Sequence, residues 1–221
     1  QVVEQNLDPA YEVEIKALLP TIQMESTGLY LDRGLIDSQL LDLEETRVTS
    51  LAAFVEELDG ELQDAGHAGL PTHPDGRLNL NKKTSGFVRL GTKQYAGFNP
   101  SSSRQILAAF KNIDIEPVDP SGKPSVDKKF LAAHTTRSIV RTYLGWKRAA
   151  TLVQFAQGLI KAQQEDGRIY ARFNQTGTFT GRYSSSSPNV QNVPRGDMRH
   201  CFAAPAGREM VDLDVSGVEL R

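Results

Sequence analysis

Two long runs of helical hydrophobic spacing place the strongest constraint on how this chain can fold. The first runs from Asp37 to about Ala65, and the second from Ser138 to about Gln164. In both runs apolar residues recur at intervals of three and four, the period of one helix face. A first helix of about 28 residues would measure ~42 Å at 1.5 Å per residue. Because a helix that long usually packs against another, the sequence predicts a pair of long helices.

Shorter helices are predicted around this pair. Residues 11–27 have helical spacing, and Gly28 ends them before an extended link at residues 29–32. In the link, Asp32 can cap the next helix, as Asp37 also can. Serines 101–103 offer caps for a helix at residues 104–111, and residues 125–127 begin another that runs toward His134. The apolar residues near one face of the first helix are Val13, Ala17, Leu18, Ile22 and Met24.

Residues 66–97 have a different composition. They are rich in Gly and Pro, and their basic residues include Lys82, Lys83, Arg89 and Lys93. This composition predicts a basic loop with a weak hairpin at 87–90, and disorder is the alternative left open. The loop would lie at the tip of an arm formed by the two long helices.

From Gly167 onward the pattern changes to short strands and polar loops. Residues 168–173 and 198–204 are predicted as strands, and residues 176–194 as a polar loop. In the last segment Val211, Leu213 and Val215 alternate on one side, which predicts a half-buried strand. Ser216, with Glu219 three residues later, has the spacing of a helix capping box. Long helices followed by short strands indicate an α+β fold.

The charge is divided unevenly along the chain. Residues 1–65 contain 15 acidic and 3 basic residues, whereas residues 66–221 contain 12 acidic and 22 basic ones. Between Gly167 and Arg208 there are six arginines, no lysine and a single acid, Asp197. Arginine suits bidentate contacts with phosphates and base edges. A solvated basic surface is the alternative, which charge alone does not exclude.

The polar loop contains the most informative residues. Its two phrases are Thr-Gly-Arg-Tyr-Ser-Ser at 180–185 and Pro-Asn-Val-Gln-Asn-Val-Pro at 188–194. Asn, Gln and Arg side chains are poor core material, but they can reach minor-groove acceptors, which lie at similar positions in every base pair. Such contacts report pairing geometry without reading sequence. Taken alone, the phrase would also fit a polar surface loop.

The order of these phrases resembles that of family A DNA polymerases, the DNA polymerase I type. That family has Thr-Gly-Arg-Leu-Ser-Ser, Pro-Asn-Leu-Gln-Asn-Ile-Pro and Asp-Tyr-Ser-Gln-Ile-Glu-Leu-Arg in this order. Here the third phrase is Asp-Val-Ser-Gly-Val-Glu-Leu-Arg at 214–221. Similar landmarks occur upstream at 98–102, 122–127 and 166–169. Gly217 and the 98–102 phrase look most like DNA polymerases of short-tailed phages.

The resemblance implies an α+β architecture in which a long-helix thumb arm precedes the first antiparallel strands of a palm. Residues 1–35 would lead into the polymerase domain, 36–165 would be the thumb with the 66–97 tip loop, and 166–221 a partial palm. Both ends of the sequence look cut. The fingers and a second carboxylate motif would lie beyond Arg221, so the 221 residues are expected to bind DNA without polymerising nucleotides.

The resemblance also implies particular site residues. Asp214 and the Val215 carbonyl would hold two Mg²⁺ ions in the complete enzyme. Glu219 would exclude a 2′-hydroxyl, Arg182 would reach the minor groove at the primer terminus, and Arg221 would support the site. The incoming dNTP would meet Asp214, Val215, Ser216, Gly217 and Glu219. Primer–template DNA would contact Asn99, Ser102, Lys147, Arg148, Thr178, Arg182, Asn189, Gln191 and Asn192.

Several departures and alternatives remain. Val215 stands where the family has Tyr, and Gly217 where it has Gln, which could alter fidelity or sugar discrimination. An insertion at the place of loop 66–97 binds a processivity partner in one phage relative, which makes such a factor a possible partner here. A non-catalytic DNA-binding module and a relative of single-subunit RNA polymerases are the competing functions, and Glu219 favours deoxynucleotides over the latter.

Two observations on the sequence bear on the cellular compartment of the protein. The sequence has no apolar run long enough to span a membrane, and its single cysteine, Cys201, excludes an intrachain disulfide. A single cysteine fits a reducing compartment, and the resemblance to family A DNA polymerases implies a bacterial or phage-infected cytoplasm as the location.

Overall fold

In the residues that the structure describes, the fold consists of helices and two small antiparallel strand pairs, the α+β class that the sequence predicts. The computed structural model describes residues 8–74, 79–80, 97–211 and 213. The helices are α1 (Asp8–Thr27), α2 (Arg33–Asp64), α3 (Ser103–Lys111), α4 (Lys128–Leu131), α5 (Ser138–Ala162) and α6 (Asp197–His200). The strands are β1 (Leu29–Tyr30), β2 (Arg168–Ile169), β3 (Arg172–Asn174) and β4 (Ser184–Ser186). Short 3₁₀ turns lie at Ala132–His134 and Val190–Asn192.

The chain divides into two compact units. The first unit comprises Gln1–Leu43 with Thr151–Arg221, and the second comprises Glu44–Ala150. The predicted borders of the polymerase domains, at residues 35 and 165, stay a prediction. The long helices α2 and α5 confirm the predicted pair, and α2, at 32 residues, begins four residues earlier than expected.

The core of the second unit is aromatic. The Phe54 ring stacks parallel to Trp146 at 6.4 Å and meets Tyr143 at 5.2 Å between ring centroids. Phe98 and Phe110 complete the cluster around Phe54, each at 6.5 Å. Burial raises the pKa of Tyr143 to about 12, so its hydroxyl stays neutral in this core. Offset and edge-to-face ring pairs of this kind add to the stabilisation from buried area.

The core of the first unit forms where α2, α5 and β2 meet the segment around α6. Its buried members are Leu31, Ile36, Ala156, Leu159, Ile169, Met198 and Cys201. β1 pairs antiparallel with β2 through Leu29↔Ile169 and Tyr30↔Arg168. Asp32 then caps α2, because its Oδ1 accepts from the Leu35 N–H at 3.0 Å. Of the two predicted caps, therefore, Asp32 is used, whereas Asp37 pairs with Arg33 at 2.8 Å within the helix.

Helix α1 is present, but its predicted apolar face is not buried. Val13 is 64% exposed and Ile22 is 52% exposed. Instead the most buried described side chain of α1 is the polar Thr21, at 5%. The helix ends at Gly28, whose φ of 65° favours glycine, and a Cβ there would lie 2.9 Å from the Ile169 carbonyl oxygen.

One strand prediction is wrong, and another is contradicted at the residues of it that the structure describes. The sequence predicts a strand at residues 198–204, but α6 occupies 197–200 and only Phe202 makes a bridge, with Leu31. Met198 and Cys201 are both buried, and their three-residue separation places them on one helical face. Of the terminal strand predicted to end at about Val215, the structure describes Val211 and Leu213, which belong to no strand and are 74% and 88% exposed instead of half-buried. Residues 212, 214 and 215 of this prediction lie outside the described residues.

One strand is absent from the sequence prediction. β4 lies inside the segment predicted as a polar loop and pairs antiparallel with β3. The continuous strand expected at 168–173 is broken at residues 170–171, so that β2 pairs with β1 and β3 pairs with β4. The predicted helices at 104–111 and toward His134 are confirmed by α3 and by α4 with its 3₁₀ turn.

Other predictions fall on parts of the chain that the structure does not describe. The hairpin at 87–90, most of loop 66–97 and the helix from Ser216 lie outside the described residues. Within the described ranges, no helix combines the length and the apolar character that crossing a bilayer requires.

Candidate functional site

The β3–β4 hairpin carries Arg182, the arginine of the first polar phrase. Arg172 pairs with Ser186, Phe173 with Ser185 and Asn174 with Ser184. The turn between the strands is closed by Thr178, whose hydroxyl accepts from the Arg182 N–H and donates to the Arg182 carbonyl, both at 2.9 Å. The Arg182 side chain is exposed. The backbone of this arginine is therefore held at both its N–H and its carbonyl.

The base of the turn is closely packed around Gly177. A Cβ on Gly177 would lie 1.9 Å from Ser184 Oγ and 3.1 Å from Asn174 Cβ, so a side chain there would require these two side chains to shift. The tip of the turn is open, because Phe179 is fully exposed at 107%. The Phe179 ring thus lies on the surface, three residues before Arg182 in the same turn.

The amides of the second polar phrase are organised by a buried serine. Ser185, 6% exposed, donates its hydroxyl to Asn189 Oδ1 at 3.0 Å and accepts from the Gln191 N–H at 3.1 Å. Asn189 Oδ1 also accepts from the Asn192 N–H at 3.3 Å, which caps the 3₁₀ turn. The side chains of Asn189, Gln191 and Asn192 are exposed. The 3₁₀ turn is therefore held by the Ser185 hydroxyl and by the side-chain oxygen of Asn189. The remaining amide groups of the three side chains are available at the surface.

The structure thus joins the two polar phrases into one surface, which we call the hairpin surface: Thr178, Arg182, Asn189, Gln191 and Asn192. Ser185 lies in β4 and so links the Arg182 turn to the Asn189 turn. Ser185 is not among the site residues predicted from sequence. Its signal in the sequence is weak, since a serine in a Ser-rich run does not indicate burial.

The hairpin is also fastened to α1. Tyr183 Oη and Thr21 Oγ1 are 2.8 Å apart, and Gln175 Nε2 donates to the Glu14 carbonyl at 3.1 Å. The Phe173 N–H donates to Glu25 Oε1 at 2.6 Å. Sequence reasoning missed these contacts, because they join residues about 150 positions apart and leave no local pattern.

The other predicted DNA contacts lie in the second unit. Asn99 precedes α3, where its N–H donates to the buried Gln105 Oε1 at 2.8 Å and its Oδ1 accepts from the Ser101 N–H at 3.0 Å. Lys147 is half-buried, with Nζ donating to the Val126 carbonyl at 3.1 Å. Arg148 is exposed. The structure therefore leaves Arg148 more available to a ligand than Lys147.

Ser102 has a structural role in addition to its predicted one. It is the N-cap of α3, with its side chain accepting from the Gln105 N–H at 3.4 Å. We expect Ser102→Ala to lower the free energy of unfolding by about 1 kcal/mol, a typical value for loss of a cap. Urea denaturation would measure this, with Ser101→Ala as the control, because Ser101 is exposed and does not cap the helix. Equal effects of the two substitutions would contradict the assignment.

Positive charge is concentrated in the stretch of sequence that contains the hairpin. Five arginines of the 167–208 segment are exposed: Arg172, Arg182, Arg195, Arg199 and Arg208. The sixth, Arg168, is half-buried and donates to the Thr27 carbonyl at 2.9 Å, at the C-terminus of α1. Asp197, the one acid within this segment, is exposed and lies 4.0 Å from His200. An exposed set of arginines with few acids suits a polyanion.

The described carboxylates with shifted pKa values are turn formers. The Ser121 hydroxyl, with the N–H groups of Lys123 and Ser121, lowers the pKa of Asp119. The Tyr170 hydroxyl, together with the Arg168 N–H, lowers the pKa of Asp166. In both cases the hydrogen bonds stabilise the charged form. No second acid contributes to the pKa shift of either carboxylate, so neither carboxylate belongs to an acid–base pair.

The predicted metal and nucleotide residues fall elsewhere. Asp214, Val215, Ser216, Gly217, Glu219 and Arg221 lie outside the described residues. Among the residues that the structure describes, no group of three His, Cys, Asp or Glu side chains could hold a metal ion. The donor set predicted from sequence, a carboxylate and a backbone carbonyl, consists of oxygen atoms, which suit a hard cation such as Mg²⁺.

Comparison with known proteins connects this chain to one family. The model of DNA polymerase family A matches residues 80–221. The chain is 32% identical over 220 residues to the thermostable DNA polymerase I of Thermus thermophilus, covering 96% of this chain and 22% of the relative. It is 37% identical over 105 residues to DNA polymerase I of Aquifex aeolicus, covering 48% of this chain and 18% of the relative.

A solved structure gives the same fold. The POL domain of Pol1 from M. smegmatis, in complex with DNA primer-template and dNTP, matches with a TM-score of 0.61 and 22% identity. The match covers 85% of this chain and 28% of that one. The chain thus spans about a fifth of the length of the first curated relatives that it matches.

Proposed function

Because this chain belongs to DNA polymerase family A, we propose that it forms the thumb and the start of the palm of an enzyme that extends a primer on a DNA template. The reaction is nucleotidyl transfer from a dNTP to the primer 3′-hydroxyl. The hairpin surface carries the proposal, because it presents one arginine and three amide side chains from two turns tied together by Ser185. In this proposal residues 1–35 lead into the polymerase domain, 36–165 are the thumb and 166–221 belong to the palm.

The hairpin surface fits the minor groove of a base-paired primer terminus. The groove presents acceptors, purine N3 and pyrimidine O2, at similar positions in every base pair. Arg182 offers only donors, and the Asn189 carbonyl oxygen is already engaged by Ser185 and Asn192, which leaves its N–H groups to donate. Gln191 and Asn192 are exposed beside it. A mismatched terminus would shift the acceptors away from these donors, so the surface would favour correct pairs.

The carboxylate motif would supply the reacting end of the site. Asp214 and the Val215 carbonyl would hold Mg²⁺ together with a second carboxylate outside these 221 residues. Two bound ions would activate the primer 3′-hydroxyl and stabilise the leaving pyrophosphate. Ser216, Gly217 and Glu219 would line the nucleotide site, with Glu219 against the sugar, and Arg221 would support the motif. Positioning and charge stabilisation dominate such phosphoryl chemistry.

The second unit would hold the product duplex. Asn99 and Ser102 lie at the N-terminus of α3, where backbone N–H groups favour a phosphate. Arg148 is exposed and can add a phosphate contact, while Lys147 would first have to leave the Val126 carbonyl. A processivity factor at loop 66–97 and a location in bacterial or phage-infected cytoplasm stay predictions.

The 221 residues alone are expected to bind primer–template weakly without incorporating nucleotides, since they contain one of the two carboxylate motifs.

The sugar preference tests this function against the RNA polymerase alternative. In the polymerase that contains these residues, we expect Glu219→Ala to raise the ratio of ribonucleotide to deoxynucleotide incorporation about tenfold or more, because the gate against the 2′-hydroxyl is removed. Steady-state primer extension with each nucleotide set measures the ratio. Glu209→Gln, which alters an exposed acid upstream of the motif, is the control. An unchanged ratio in Glu219→Ala would count against the assigned sugar contact.

A further inference from the structure

The contact between the hairpin and α1 is a chain of side-chain hydrogen bonds with a fixed direction. Thr21 Oγ1 donates to the Ala17 carbonyl at 2.7 Å. A hydroxyl has a single proton, so in the 2.8 Å contact between Thr21 and Tyr183 it is the Tyr183 hydroxyl that donates. Gln175 Nε2 in turn donates to Tyr183 Oη at 3.3 Å. The bonds therefore run from Gln175 through Tyr183 and Thr21 to the backbone of α1.

This hydroxyl chain ends on groups that cannot rotate away. Ala17 and Glu14 contribute main-chain carbonyls of one helix, and Gln175 uses its second N–H on the Glu14 carbonyl at 3.1 Å. Thr21 is 5% exposed, so water does not readily replace Tyr183 as its donor. Gln175 and Tyr183 are half-buried, and a polar chain in which each donor is matched to an acceptor favours one arrangement of its side chains.

The hydroxyl chain lies directly beside the proposed DNA contact. Tyr183 follows Arg182 in sequence, and Gln175 lies at the other end of the same turn. On its other side the Arg182 backbone is held by the Thr178 hydroxyl, through both its N–H and its carbonyl at 2.9 Å. The position of the Arg182 backbone is thus set from two sides, by Thr178 within the turn and by Tyr183 against α1.

We propose that Tyr183 and Thr21 are positioning residues, which hold the hairpin turn against α1 so that Arg182 meets the primer terminus in one orientation. The inference rests on the proposed function of Arg182 and adds the pair that orients it. An arginine that contacts a base edge needs its backbone fixed to within a fraction of an ångström. If the guanidinium is displaced further, its contact no longer holds the primer terminus in the geometry that the reaction requires. Loss of the Tyr183 hydroxyl would leave Arg182 in place but would make the position of its guanidinium less well defined.

The test uses the polymerase that contains these residues and follows single-nucleotide extension of a matched primer terminus. We expect Tyr183→Phe and Thr21→Val each to slow extension by about 3- to 10-fold, the range for loss of a hydrogen bond. Thr21→Ser keeps the hydroxyl and should stay within about twofold of the parent rate, given the same range. The KM for dNTP should not change, because the hairpin contacts the primer–template and not the nucleotide.

A second arm separates positioning from general loss of structure. In an Arg182→Ala background, Tyr183→Phe should slow extension no further, because there is no arginine left to aim. Equal slowing by Tyr183→Phe with and without Arg182, or slowing by Thr21→Ser as large as that by Thr21→Val, would overturn the inference. So would a normal rate in Tyr183→Phe while Arg182→Ala is slow, which would leave the proposed function intact. A normal rate in Arg182→Ala would overturn both.

Discussion

Replacing Asp214 with Asn in the polymerase that contains these residues is expected to reduce the rate of nucleotide incorporation by at least about 1,000-fold. A metal ion at such a site contributes several kcal/mol of charge stabilisation in the transition state, and about 4 kcal/mol corresponds to that factor. The amide keeps the size of the side chain but removes the negative charge that would attract the cation. Single-turnover primer extension at saturating dNTP measures the rate.

The same variant should bind primer–template as tightly as the parent, since the hairpin surface does not include Asp214. Glu209→Gln again serves as the control, because it removes an exposed acid close to Asp214 in sequence and should leave the rate unchanged. If Asp214→Asn retained a rate close to that of the parent, this aspartate would not be a metal ligand of the reaction. The two-metal assignment to the 214–221 motif would then be wrong.

Replacing Arg182 with Ala is expected to slow extension of a matched primer by about 10- to 100-fold, because a good bidentate contact to a base edge contributes about 1–3 kcal/mol. Arg182→Lys should recover little of this loss, since an ammonium group cannot reproduce the planar fork of a guanidinium. The two Thr178 hydrogen bonds should remain in the variant, because they involve only the backbone of Arg182.

Arg33→Ala is the matched control for this experiment. Arg33 is also exposed in the first unit, at 57%, and its contact is a surface ion pair with Asp37. Such pairs contribute about 0–1 kcal/mol, so the control should extend primers at the parent rate. Extension by Arg182→Ala at the parent rate, or an equal loss in Arg33→Ala, would contradict the assignment of Arg182 to the primer terminus.

The long helices could be predicted from the sequence because their signals are local. The apolar period of α2 and α5, the Asp32 cap and the Gly28 terminus each involve residues within a few positions of one another. The burial of α1 could not be predicted in this way. Its apolar residues have helical spacing, yet the buried residue is Thr21, which depends on a tyrosine 162 positions away.

The strands show the same limit. The sequence at residues 198–204 suggests a strand. The structure instead has α6 there, because Met198 and Cys201 are buried together on one helical face. β4 lies in a run of serines, where only pairing with β3 identifies a strand. The residue types of the hairpin surface were recognisable, while their joint placement depends on Ser185 and on the contacts with α1.

The most direct measurement of the central claim is photo-cross-linking from the tip of the hairpin to primer–template DNA. The chain has one cysteine, Cys201, which is buried, so Phe179→Cys provides a single exposed thiol for a photoreactive label. We predict cross-links to the 3′-terminal nucleotides of the primer and to the template bases opposite them, with loss of the cross-links in high salt. Cross-links confined to DNA ends without a primer terminus, or their absence at saturating DNA, would contradict the account.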